Sequence, residues 1–151
     1  MRIEKVFGDS FNILKQLQEV AKQSDDPDRK VSAIIFDKNG QALVHSANVL
    51  VTPKRNDLKK RTSREQNQKY YWIEHAERRV IFMALKQGID LSQCSLAVSL
   101  FPCADCARAI IQSGIRTVFA PTIPNNEPRH KETMHAALEI LSVARVKLIN
   151  L

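Results

Sequence analysis

Three side chains with metal-ligand chemistry stand at two points of the sequence. His75 is followed at once by Ala76 and Glu77, and Cys103 and Cys106 sit three apart behind Pro102. One imidazole and two thiolates make three protein ligands, which leaves the fourth tetrahedral position of a zinc ion open, the catalytic rather than the structural pattern. A CxxC pair at a helix start puts both sulfurs on one side of a single turn. The backbone N–H groups and the helix dipole there favour thiolate. Glu77 supplies a carboxylate within reach of an open position, where it can take a proton from water and hand it on. A glutamate in a first helical turn is also common as a complement to the dipole. Its pairing with Pro-Cys-x-x-Cys 25 residues further on gives Glu77 its chemical meaning. The third cysteine, Cys94, precedes a strand whose far end leads to Cys103. About seven extended residues at roughly 3.3 Å each separate the two by some 20 Å, so Cys94 reads as a small packed residue.

The elements that must position these groups are legible from periodicity and punctuation. Asp9-Ser10 followed by Phe11, Ile13, Leu14, Leu17, Val20 and Ala21 predicts a capped amphipathic helix. Val31–Phe36 and Gln41–Ala47 read as strands joined by the turn Lys38-Asn39-Gly40. The stretch from Asn48 to Glu74 is long, polar and basic and reads as a loop, functional or disordered. His75–Gln87 and Cys103–Ser113 read as helices stopped by Gly88 and Gly114. Ser95–Phe101, Ile115–Ala120 and Val146–Asn150 read as strands three to five, and Arg129–Ala144 as a helix between the last two. A hairpin followed by three helix-separated strands implies a mixed five-stranded sheet between helices, an α/β fold in three α/β/α layers. Right-handed crossovers make strands three, four and five parallel. Sites in such sheets form at the carboxyl ends of strands near helix N-termini, where both ligand motifs fall.

Bulk properties narrow the class. A chain of 151 residues, 44% hydrophobic and 26% charged, suits one domain over residues 1–151 with one core. No apolar run reaches the roughly 18 residues of a membrane span, and the start Met1-Arg2-Ile3-Glu4 lacks a secretory signal; the expected location is the cytoplasm. Three cysteines do not make a disulfide framework. The formal charge is +7, and Thr52–Lys69 alone carries seven Lys/Arg against two acids, a net +5. Charge alone favours a solvated basic loop over an anion-binding one.

The combination His75-x-Glu77 and Pro102-Cys103-x-x-Cys106 matches the known signature H-x-E…P-C-x-x-C of zinc nucleobase deaminases. On it, the chain is identified as a member of the cytidine/deoxycytidylate deaminase superfamily, similar over nearly its whole length. The helix between the last two strands resembles the branch holding deoxycytidylate, tRNA-adenosine, guanine and riboflavin-pathway deaminases. Within that branch, Asp28–Asp37 and Pro102–Ile115 resemble the deoxycytidylate type. The turn Ser46-Ala47-Asn48-Val49 lacks the glycines of the usual G-x-N-G. The resemblance implies zinc on His75, Cys103 and Cys106, with Glu77 as proton shuttle in the hydrolysis of dCMP to dUMP and ammonia. It implies Asn48 at the sugar, and Ala76, Phe101 and Pro102 at the pyrimidine edge. Lys54 and Arg55 are expected at the 5′-phosphate, and Trp72 or Tyr71 as a wall of the base pocket. It also implies a homo-oligomer. Another base, in tRNA or as guanine, ranks second: the basic stretch suits RNA, but the sequence ends in the fifth strand without a basic helix. A non-catalytic zinc or nucleic-acid-binding module ranks last, because a structural zinc needs no Glu77.

Overall fold

The computed structural model describes residues 10–53 and 56–151. Asp9 of the expected cap, and Lys54 and Arg55, lie outside the described residues. Helix α1 (Ser10–Ala21) leads into strands β1 (Ser32–Phe36) and β2 (Ala42–Ala47). The turn between them is closed by Asp37, whose carboxylate accepts from the amides of Asn39 and Gln41, with Gly40 at φ 82°. A positive φ of that size is one that glycine adopts without a Cβ clash. Strand β5 (Ser95–Val98), helix α5 (Ala104–Ser113), strand β6 (Thr117–Ala120), helix α6 (Lys131–Val143) and strand β7 (Lys147–Asn150) form the second half.

The sheet runs β2-β1-β5-β6-β7. β1 is antiparallel to β2 and β5, while β5, β6 and β7 run parallel. All five residues of β1 are buried, because the sheet is covered on both faces. Ile34 and Phe36 point to Ile13, Leu17 and Val20 of α1. Ala33 and Ile35 point the other way, into a larger core with Val80, Ala84, Ala107, Ile110, Ala137 and Leu141. Those last residues come from α4 (Ala76–Lys86), α5 and α6, which therefore share one face. The alternation along β1 is the two-residue period of a strand, and it assigns each core its side.

The stretch from Asn48 to Glu74 is not a loop. It is a folded insert. Its two ends pair as a short ribbon, β3 (Val49–Leu50) against β4 (Ile73–Glu74). Between them lie α2 (Leu58–Arg61), a 3-10 turn (Glu65–Asn67) and α3 (Gln68–Trp72). A buried ion pair seats the insert: Lys69 Nζ lies 2.5 Å from Asp26 Oδ2, with both side chains under a tenth exposed. Asp25 assists, accepting from the Leu50 amide at 2.9 Å. The basic composition concealed this order, because Lys69 and Arg64 pair with Asp26 and Asp28 of the 24–30 loop and Arg61 pairs with Asp57 inside the insert.

Candidate metal and catalytic site

Two helix N-termini meet at the carboxyl end of β5. His75 caps α4 in an extended conformation, and Cys103 caps α5 the same way. Cys106 follows one turn into α5 and is fully buried. Cys103 Sγ lies 3.5 Å and Cys106 Sγ 3.3 Å from His75 Nδ1. The three donor atoms lie within 4.8 Å of one another. A tetrahedral zinc, with bonds of about 2.3 Å to sulfur and about 2.0 Å to nitrogen, sets its S···N edges at roughly 3.5 Å. The donor set and its spacing fit zinc. Cys94 is elsewhere, its thiol against the Asp90 carbonyl at 3.5 Å.

The site's electrostatics are strongly perturbed. The Cys103 thiol is drawn down to about 4, first by its hydrogen bond with Cys106 and then, against burial, by His75. His75 is raised to about 9 by its hydrogen bond to Cys103, which outweighs burial. Cys106 is pushed up by the same Cys103 contact and by burial. Glu77 is 4% exposed, and burial lifts its carboxyl above the usual carboxylate range, with the charge of His75 opposing. A carboxyl raised in this way, in a cleft, suits a group that must both accept and release a proton.

One pocket opens beside these groups. Its walls include His75, Ala76, Glu77 and Cys103 at one part and Val31, Ile73, Leu100, Phe101 and Met134 as apolar surface. Asp26, Arg29, Asn48, Lys69, Tyr70 and His130 complete it. Asn48 thus faces the pocket, but its amide also ties the backbone together. Oδ1 accepts from Ser24 Oγ and the Val31 amide, and Nδ2 donates to the Arg29 carbonyl. The glycine-free turn keeps its shape by these bonds.

Other expected residues are placed differently. Pro102 is buried and is not part of the pocket wall. Trp72 is not in the wall either: its ring lies 3.7 Å from the Arg61 guanidinium and its Nε1 donates to Gln68. Helix α3 turns Tyr71 outward, 74% exposed, and presents Tyr70 to the pocket instead. Lys59 and Lys60 line a separate depression with Ser63, Glu65, Gln66 and Gln68. Sequence reasoning missed Arg29, Tyr70 and His130 as pocket residues, and took Lys69 only as part of a basic run. The available signal was positional: Arg29 just precedes β1, and His130 immediately precedes α6.

Comparison with known proteins agrees with this geometry. Residues 10–122 match the family described as the cytidine and deoxycytidylate deaminase zinc-binding region. The mouse deoxycytidylate deaminase is 33% identical over 101 residues, 65% of this chain and 56% of that protein. The deoxycytidylate deaminase of phage T4 is 36% identical over 76 residues, 49% of this chain and 39% of that protein. The chain thus spans about half the length of the curated relatives it matches. The crystal structure of dCMP deaminase from cyanophage S-TIM5 superposes over 100% of both chains with a TM-score of 0.73 at 19% identity, a likeness of fold. This chain belongs to the cytidine and deoxycytidylate deaminase zinc-binding family. Zinc is that family's metal, and His75, Cys103 and Cys106 are the residues here that can hold it. No described helix is long and apolar enough to cross a membrane.

Proposed function

We propose that the protein is a zinc-dependent hydrolytic deaminase of a cytosine nucleotide, converting dCMP and water to dUMP and ammonia. The observation that carries this reading is one pocket with two chemically different parts. A buried carboxyl, Glu77, stands beside the metal donors, and Arg29, Lys69 and His130 share the same pocket. A pyrimidine with its C4 toward Glu77 leaves the sugar and phosphate to Arg29 and Lys69, each ion-paired with a carboxylate, and to His130, whose imidazole is kept neutral by burial. The deoxycytidylate deaminases among the relatives support the choice of substrate.

His75, Cys103 and Cys106 would hold zinc, which when bound would supply Lewis acidity for the attack of water. Glu77 accepts a proton from that water, delivers it to N3 of the ring, and passes the next to the departing amino nitrogen. Oxygen thereby replaces nitrogen at C4, and the nitrogen leaves as ammonia. Phe101 and the backbone at Ala76 flank the ring. Asn48 faces the sugar, a role supported by its place in the wall. Among the described residues, Arg29 and Lys69 are the cations we assign to the phosphate.

We also read the protein as a homo-oligomer, a state supported by family resemblance and by Phe82 and Leu85, which stand 57% and 53% exposed on α4. Sedimentation velocity on the zinc-loaded chain tests it. The substrate reading is tested by ammonia release from dCMP, CMP, deoxycytidine, guanine, adenine and tRNA. dCMP is expected to turn over fastest. Robust turnover of unphosphorylated substrates without dCMP would overturn the reading.

A further inference from the structure

The loop before α6 carries a buried acid that the chemistry of the site does not use. Glu127 is 8% exposed. Its carboxylate meets the Arg29 guanidinium 98 residues away, with Nη2 at 3.1 Å from both Oε1 and Oε2. The same Oε1 accepts from the backbone amides of Arg129 and His130, each at 3.1 Å. One carboxylate therefore fixes two pocket residues that arrive from opposite ends of the sequence, Arg29 and His130.

The hold on Arg29 is one-sided. Glu127 engages Nη2, while Nη1 is shut off from solvent and has no hydrogen-bond partner among the described residues. A guanidinium donor left unmet in the interior is destabilising, so the orientation of Arg29 rests on its bond to Glu127. Among the described residues, Arg29 is otherwise anchored through its backbone, its amide donating to Asp26 Oδ1 and its carbonyl accepting from Asn48. Among the described residues, Glu127 is the side-chain partner that orients the guanidinium. Burial alone would raise the Glu127 carboxyl, but Arg29 and the two backbone amides outweigh it and hold it below the usual range. The acid is ionised at neutral pH and able to do this.

We propose that Glu127 is a positioning residue for substrate choice: by holding Arg29 and the start of α6 in the pocket wall, it sets the preference for a 5′-phosphorylated nucleoside over the bare nucleoside. The inference rests on the reading that this pocket takes a cytosine nucleotide.

Glu127→Gln separates this role from loop support, because the amide oxygen of glutamine still accepts from the two backbone N–H groups while the negative charge facing Arg29 is lost. Steady-state kinetics with dCMP and deoxycytidine should be measured on the zinc-loaded wild type, Glu127→Gln, Arg29→Ala and the double variant, with melting temperature and zinc content as controls. The wild type is expected to prefer dCMP. Glu127→Gln should raise KM for dCMP about tenfold, with kcat moved far less, and so shrink the preference. In the Arg29→Ala background it should add little, because the residue acts through Arg29. Glu127→Asp should restore part of the KM. An equal loss on both substrates, or a full additive loss without Arg29, overturns the proposal. A wild type with no preference for dCMP overturns it too, and is distinguishable because the failure then lies in the substrate reading itself.

Discussion

Glu77 is buried with two kinds of neighbour, metal donors on one side and apolar wall on the other. If it moves protons, Glu77→Gln keeps the shape and the zinc and loses turnover by about 10²–10⁴-fold, the range of general acid–base catalysis. Metal content by atomic emission beside kcat checks it; retained activity removes Glu77 from the mechanism. The ligands make a complementary case. Cys106→Ala should bind less than stoichiometric zinc, because it removes one of three donors within 4.8 Å of one another. Cys94→Ala should keep its zinc, since Cys94 packs against Asp90 in another part of the molecule. A loss of metal in both variants would contradict the assignment.

At the scale of elements, the site is a product of two helix starts and one folded insert. The helix starts were legible because their ligands are spaced by chemistry: the CxxC pair and the HxE triplet take their meaning from each other. The strands around them were legible too, since Ala-Ile-Ile-Phe in β1 is apolar on both faces and both faces are covered. The insert was not. Its order depends on Lys69 meeting Asp26 across 43 residues of sequence, and on Val49–Leu50 pairing with Ile73–Glu74. Neither partner announces the other by spacing. The same blindness moved the aromatic wall from Trp72 to Tyr70, because a four-residue-apart contact between Trp72 and Gln68 turns that ring away.

The Asp26–Lys69 pair has a measurable consequence. Asp26→Asn leaves the buried Lys69 ammonium without its counter-charge, a loss of about 3–5 kcal/mol for a broken buried pair. The pH dependence follows from the direction of the shift. Burial raises the Asp26 carboxyl, but Lys69 and the amides of Asp28 and Arg29 outweigh it, so the folded value lies below the ordinary 3.8. A group lowered on folding stabilises above its unfolded value and loses that contribution as pH falls through the folded one. Urea midpoints should therefore fall more steeply below about pH 4 in the wild type than in Asp26→Asn. Parallel curves would show that the pair does not contribute.

At the scale of the molecule, α4 packs on β1 and β2 and brings His75 and Glu77, α5 follows β5 and brings Cys103 and Cys106, and the segments flanking β1 and β2 carry Arg29 and Asn48 to the same pocket. The metal donors come from two short motifs, whereas Arg29, Lys69 and His130 reach the pocket from three separate segments, which is why the donors were legible in the sequence and the rest of the wall was not. Reaction and substrate meet in a single assay. Zinc-loaded protein given dCMP should release ammonia and dUMP in equal amounts, faster than it does from deoxycytidine, and Glu77→Gln with the same zinc content should release neither. Undiminished turnover by that variant, or deoxycytidine turned over in preference to dCMP, would contradict the account.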